Sequence, residues 1–294
     1  MTEQQDESVR IKSPYLIPLD EPVMLSFSGG RSSGYLLNNT LEVNGGQPDN
    51  LHIVFANTGK EMPQTLDFVR DCAINLNCKI TWLEYRFDFE KRKTYFVVVN
   101  YETASRKGEP FAQLIAAKKM LPNVAKRFCT EQLKIKTMQR YMRSIGHRDY
   151  MNIIGLRYDE PSRIAKMRAK NNDQRLRQSF APLNIAKVSK SVVGDFWRSM
   201  SFDLALDNQN GTTPLGNCDM CFLKGKKKLS SIGRDHPTLP HWLIEQEKSI
   251  LKTLPENGKP ENASFIKYLP YNRLLSMDIS SLLDDDIQCL GCTD

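Results

Sequence analysis

The sequence predicts an α/β fold: a doubly wound parallel sheet with a small cysteine-rich C-terminal region. Three observations predict it. Short apolar runs alternate with segments of helical spacing through the first half of the chain. The first apolar run ends in a Gly-rich turn, the place where such sheets bind ligands. Four of the seven cysteines form two late C-x-x-C pairs, Cys218/Cys221 and Cys289/Cys292.

The elements follow in order. Residues 1–20 are polar and then Pro-containing, and read as a loose arm. Val23–Phe27 is a strand that stops at Ser28-Gly29-Gly30, and Tyr35, Leu36 and Leu37 suggest a helix after it. Leu51–Ala56 is a second strand, ending at Asn57-Thr58-Gly59. Residues 64–76 place Leu66, Val69, Cys72, Ala73 and Leu76 at helical spacing. Ile80–Tyr85 is a third strand. Residues 130–145 read as a helix, and Tyr150–Leu156 as a fourth strand. Residues 87–128 interrupt the alternation with Lys, Arg, Tyr and Phe, and read as an insertion or lid. A nucleotide-binding domain over 21–200 and a helical, cysteine-rich region over 201–294 complete the plan. Helices are expected near Ser191–Met200 and Leu239–Lys252.

Bulk properties agree with a globular protein. The 294 residues are 40% hydrophobic and 26% charged, enough for one core or a core plus a smaller lobe. The opening MTEQQDESVR lacks the apolar stretch of a signal peptide. No apolar run reaches the roughly 18 residues of a membrane span. The expected location is the cytoplasm, where structural disulfides are disfavoured. The net charge of +7 favours anionic ligands or nucleic acid.

The segment Ser26-Phe27-Ser28-Gly29-Gly30-Arg31-Ser32-Ser33 carries the first functional signal. Two glycines let the backbone approach a phosphate and turn sharply. Successive N–H groups and the following helix N-terminus then bind the anion. The serine hydroxyls add donors, and Arg31 can offset charge. The Lys and spacing of a Walker loop are missing. A plain glycine turn with serine caps is the bland alternative. Position after the first strand of an alternating pattern favours the ligand.

This loop resembles the pyrophosphatase loop of the adenine nucleotide alpha-hydrolase superfamily. Further segments are similar to its phosphoadenylyl-sulfate reductase branch: Phe55–Gly59 with Glu61, Phe128-Cys129-Thr130 with Leu133-Lys134, Gly155-Leu156-Arg157 with Glu160 and Arg163, and Pro182-Leu183. The likeness covers roughly residues 22–200. Gly216–Phe222 is similar to a subgroup common in phages and mobile elements, and in plan to the ATP-pyrophosphatase of DNA phosphorothioation. The resemblance implies that Ser28–Ser33 hold phosphates, with Ser28, Ser33 and Arg157 in catalytic roles. It implies that the backbone near Phe55–Thr58, with Phe55, Asn57, Thr58 and Gly59 as cofactor-binding positions, lies beside the adenine or ribose. Arg157 has the planar fork that suits phosphate, and Lys60 and Arg163 are further candidates. Ser32 stands where members often carry Asp, a natural partner of the Mg²⁺ expected with ATP.

Read alone, two C-x-x-C pairs suit structural zinc or an iron–sulfur cluster. The resemblance implies a [4Fe-4S] cluster on Cys129, Cys218 and Cys221, with Cys289 or Cys292 as fourth ligand. Cys72 and Cys78 read as small hydrophobes. The four histidines show no ligand spacing.

Basic residues cluster at Arg163, Lys166, Arg168, Lys170, Arg175 and Arg177, and again at Lys224 and Lys226–Lys228. Such groups suit a nucleic acid, DNA or tRNA, or a solvated face. Tyr95, Phe96 and Tyr101 read as packing rather than base-stacking residues. The function expected is ATP α-hydrolysis in sulfur transfer or sulfur-linked nucleic-acid modification, served by a sulfur-donor protein. The alternatives are reduction of adenylyl-sulfate or phosphoadenylyl-sulfate, and a nucleotide-sensing or nucleic-acid-binding module without turnover.

Overall fold

Six strands form one sheet: β1 (Val23–Phe27), β2 (Leu51–Asn57), β3 (Ile80–Asp88), β4 (Lys93–Val99), β5 (Met151–Ile154) and β6 (Ser179–Phe180). Their spatial order is β4-β3-β2-β1-β5-β6. Only the β3–β4 pair is antiparallel. The structure is a computed structural model that describes residues 13–173, 178–208, 213–254 and 263–282.

Helices cover both faces, as predicted. They are α1 (Arg31–Val43), α2 (Pro63–Asn75), α3 (Glu109–Lys118), α4 (Lys136–Ser144), α5 (Pro161–Asp173), the short α6 (Pro182–Ile185), α7 (Lys190–Ser199), α8 (Lys226–Asp235), α9 (Pro240–Thr253) and α10 (Tyr271–Ser276). The period-2 geometry of a strand assigns alternate residues to opposite faces. Leu25 and Phe27 pack with Leu36, Leu37, Phe68 and Trp197 on one face. Met24, Val54, Ala56 and Leu83 pack with Met138 and Met142 on the other. Burial on both faces is why these strands read as continuous apolar runs.

β1 pairs with β2 on one side and β5 on the other. The chain therefore changes winding direction at β1/β5. A crevice opens there at the carboxyl ends of the strands.

Three segments differ from their sequence reading. Residues 87–128 are not a separate lid: β3 continues to Asp88, and Lys93–Val99 is an antiparallel edge strand of the sheet. Lys93 and Tyr95 on its outer side masked the strand pattern. Charge on an edge strand also discourages edge-to-edge pairing. Phe96 and Tyr101 pack inward, on Tyr141 and Trp82. The described part of the arm, 13–20, is tied down. Tyr15 and Ile17 are buried in the main core. Asn44 accepts from Ile17 N at 3.0 Å and donates to Tyr15 O at 2.9 Å. The predicted helix over 130–145 divides into a π-helical turn, Thr130–Ile135, followed by α4. Cys72 lies on the buried face of α2, in line with a structural role.

The C-terminal helices gather around one buried carboxylate. Glu247 on α9 accepts from Phe265 N at 3.2 Å and from Tyr271 N at 2.8 Å. Burial pushes its pKa up to about 7, against those two donors. A carboxyl raised above its ordinary 4.5 contributes stability that is complete at low pH and lost as pH climbs through about 7. Glu247→Gln is expected to flatten the fall in unfolding midpoint between pH 5 and 8, although its amide N–H₂ cannot accept from both amides. Thermal unfolding at several pH values reads this slope. An unchanged slope would assign the pH dependence elsewhere.

Candidate functional site

The Gly-rich turn leads from β1 directly into α1. Gly29 has φ +78°, and a Cβ there would meet Thr65 Cγ2 at 2.8 Å, so a side chain is excluded on both counts. Ser33 Oγ donates to Gly30 O at 2.9 Å and lies 2.9 Å from Ser28 Oγ. Ser28 N donates to Ser33 Oγ at 3.3 Å. Gly30 caps α1 with no side-chain cap. A helix start that follows a glycine turn is a setting that suits an anion.

Arg157 follows β5, on the far side of the crevice. Its Nη1 donates to Ser32 Oγ at 2.7 Å. Asp159 accepts from its Nε at 2.9 Å, and Glu160 from its backbone N at 2.8 Å. Arg163 is buried and paired with Glu160. It supports the turn that presents Arg157, and its guanidinium is engaged there. The loop and Arg157, distant in sequence, thus meet across the switch point.

A cavity of about 360 Å³ opens beside them. Ser26, Ser28 and Asn152 supply polar groups, and Ala56, Met138 and Leu156 supply apolar walls. Ser26 Oγ is held by Asn152 Oδ1 at 2.8 Å. Arg127, Lys134, Lys166 and Lys170 also border the cavity. An apolar slot with cations beside it suits a heterocycle bearing phosphates.

At the β2 end the side chains hold the core and the turn together. Phe55 is a core residue, edge-on to Trp82 at 5.0 Å. Asn57 donates to Glu84 at 2.6 Å and to Ser105 O at 2.9 Å, and accepts from Gly59 N at 3.1 Å. Its amide therefore shapes the turn instead of reaching into the cavity. Thr58 N and Oγ1 both donate to Glu61 at 2.9 Å. Of this stretch, Ala56 lines the large cavity.

Arg31 and Lys60 are also committed elsewhere. Arg31 Nε and Nη2 donate to Asp203 at 2.8 and 2.7 Å, and Nη1 to Thr213 Oγ1 at 3.1 Å. The carbonyls of Leu204 and Leu206 accept from it as well. Lys60 pairs with Asp219 at 2.8 Å and lies over the Trp242 ring. Carboxylates on later segments outcompete the phosphate role that local sequence suggests for both.

A second, smaller cavity of about 30 Å³ holds the cysteines. Cys129, Cys218 and Cys221 all line it, with Thr58, Lys60 and Trp242. The C-x-x-C segment is anchored by Asp219 N to Lys60 O at 2.9 Å. Tyr271 OH donates to Met220 O at 2.6 Å, and Lys224 Nζ to the carbonyls of Cys218 and Asp219 at 2.7 and 2.8 Å. Burial, and then Glu61, pushes the Cys218 thiol up to about 11.

The three thiols that line this cavity are the donor type a thiolate-bound metal uses. Among the described residues no three Cys, His, Asp or Glu stand close enough to hold a metal. Cys289 and Cys292, the remaining candidates, lie outside the described residues, as do Arg175 and Arg177.

Thr130 and Lys134 line both cavities. Lys134 Nζ lies 3.8 Å from Glu61. The residue-by-residue reading assigned them no role, although their i, i+4 spacing beside Cys129 was a usable signal. The His52 and His147 rings lie 5.0 Å apart in a tilted pair, with His52 near the amino end of β2, away from the site.

A family model for the phosphoadenosine phosphosulfate reductase domain matches residues 22–205. The chain belongs to this family. Membership bears out the resemblance read from the Ser28–Ser33 loop and its companion segments. An uncharacterized nin region protein of Escherichia phage lambda is 28% identical over 74% of this chain and 71% of its own length. An uncharacterized protein of Methanocaldococcus jannaschii is 26% identical over 81% of this chain and 43% of its own length. Among solved structures, a phosphoadenylyl-sulfate reductase from Candida auris in a phosphate complex aligns with TM-score 0.38 and 14% identity, over 62% of this chain and 72% of that one. The U34-tRNA thiolase NcsA from Methanococcus maripaludis, with its [4Fe-4S] cluster, aligns with TM-score 0.38 and 13% identity, over 90% and 84%. The family assignment rests on the sequence match. No helix among the described residues is long and apolar enough to cross a membrane.

Proposed function

We propose that this chain is an adenine nucleotide α-hydrolase that activates an acceptor for sulfur transfer. An acceptor oxygen attacks the α-phosphorus of ATP, pyrophosphate leaves, and a sulfur nucleophile then displaces AMP from the adenylate. The observation that carries this reading is the wall shared by the two cavities: Thr130 and Lys134 border the nucleotide-sized space and the thiol space alike. A group activated in one would meet sulfur chemistry in the other without a long transfer.

The residues divide the work. The α1 N-terminus with Ser28 and Ser33 holds the leaving pyrophosphate, and Arg157 offsets its charge, a case of preorganised electrostatic stabilisation. Mg²⁺ would accompany the nucleotide. Ala56, Met138 and Leu156 take the adenine, and Lys134 stands where the α-phosphate faces the thiols. A [4Fe-4S] cluster, or zinc in its place, would be held by Cys129, Cys218 and Cys221 with Cys289 or Cys292. A bound cluster supplies a carrier or positioning centre for sulfur. Lys166, Lys170 and Arg127 suit a nucleic-acid acceptor, DNA or tRNA. A sulfur-donor protein would replenish the sulfur.

The test is incubation of purified protein with α-labelled ATP, with and without nucleic acid. AMP and pyrophosphate release supports the reading. Nucleotide binding with no release in any condition would leave a sensing module. The family match favours one second reading, reduction of an adenylyl-sulfate. With a dithiol supplied as two-electron reductant, release of sulfite and the adenine nucleotide from adenylyl-sulfate or its 3′-phosphate, with no AMP from ATP, would select it.

A further inference from the structure

We infer that Arg31 and Lys60 are positioning residues that mount the cysteine segment on the two nucleotide loops. This rests on the nucleotide reading above. Arg31 opens α1, just past the turn at the carboxyl end of β1, and Lys60 sits in the turn at the carboxyl end of β2. Each is buried, and each is paired with an acid of the C-terminal half: Arg31 with Asp203 at 2.7 Å, Lys60 with Asp219 at 2.8 Å.

The connections from these pairs to the thiols are short. Arg31 also binds Thr213 Oγ1, five residues before Cys218. Its fork reaches the carbonyls of Leu204 and Leu206 too, a set that a lysine cannot reproduce. Asp219 is itself inside the C-x-x-C pair. Its N–H binds Lys60 O at 2.9 Å, and Cys218 bridges to Glu61. Thr58 Oγ1, in the same turn as Lys60, lies 3.6 Å from Cys218 Sγ.

The cysteine segment therefore has one anchor on each nucleotide loop. Buried ion pairs with good geometry resist loosening, because removing one partner strands a charge. An anion that orders the Ser28–Ser33 backbone also orders the Arg31 anchor, and through it the approach to Cys218. Nucleotide occupancy and thiol placement are thereby one coupled event.

Hydrogen–deuterium exchange of residues 213–224, with and without saturating ATP, reads the coupling on the full chain as purified. Calorimetry on the same samples reads ATP affinity separately. In the wild type, ATP is expected to slow exchange in this segment by about 5-fold or more. Asp203→Asn leaves the loop residue in place and its side chain is 38% exposed, so the chain should fold. There, ATP affinity is expected to stay within about 3-fold, and the ATP-dependent protection to shrink toward none. Asp219→Asn should act likewise at the second anchor. ATP binding to the wild type with no change in exchange overturns the coupling alone. Full protection retained in both variants overturns it too. Absence of ATP binding to the wild type overturns the nucleotide reading, and this one with it.

Discussion

Trp197→Ala is expected to destabilise the protein by about 3–5 kcal/mol, the range for emptying a large buried aromatic site. Trp197 is 2% exposed. Its ring packs edge-on against Phe68 at 4.9 Å, Phe196 at 5.0 Å and Phe202 at 5.5 Å. It also fills the notch at Gly34, where a Cβ would meet the ring at 2.6 Å. The indole Nε1 donates to Arg31 O at 2.8 Å, so the ring braces the phosphate loop from below. The same variant should therefore bind ATP more weakly than its stability loss explains. Denaturant unfolding and calorimetry measure the two effects. Trp197→Phe separates them, because it keeps most packing and loses one hydrogen bond worth about 1 kcal/mol. A stability loss under about 1.5 kcal/mol for the alanine variant would contradict the packing account.

Arg157→Ala is expected to lower AMP formation by about 10²- to 10³-fold, the usual effect of deleting one preorganised charge-stabilising donor. Arg157 is 9% exposed and donates across the crevice to Ser32 at 2.7 Å. Its effect should fall mostly on turnover rather than affinity, because the developing pyrophosphate charge is what it meets. Arg157→Lys keeps the charge and loses the fork, and should recover only part of the rate. Removal of Arg157 also leaves Asp159 and Glu160 with one partner fewer. Stability is therefore measured beside activity. Unchanged AMP formation in a folded Arg157→Ala protein would remove Arg157 from the mechanism.

The legible part of this fold was the part set by short-range pattern. Val23–Phe27 and Leu51–Asn57 are buried on both faces, so their runs are mostly apolar, broken only by Ser26 and His52, and their ends fall at polar or glycine residues. Gln64–Leu76 and Ser191–Met200 carried helical spacing and became α2 and α7. β4 was illegible because an edge strand shows only one face to the core, and its exposed positions mix Lys93 with Tyr95 and Val98. The docked arm at Tyr15 and Ile17 was illegible for a similar reason, since its two buried residues are separated by an exposed Leu16.

The site divides along the same line, and the Ser28–Ser33 loop shows it best. A strand, two glycines and a helix start lie within eight residues, so local chemistry alone predicts a phosphate cradle. The convergence of Cys129 with Cys218 and Cys221 was implied by resemblance, and the fold brings the three to one cavity. What only the tertiary structure decided is which charges are available. Arg31, Lys60 and Asn57 look like ligand residues in sequence because each stands at the end of a strand. In the fold their hydrogen-bonding groups are taken up by Asp203, Asp219 and Glu84, which come from 172, 159 and 27 positions away in the chain. Lys134 is the converse case, an ordinary helical lysine in sequence that the fold sets between two cavities. Burial makes a charge seek its nearest partner in space, and that partner is a property of the fold that no local window contains.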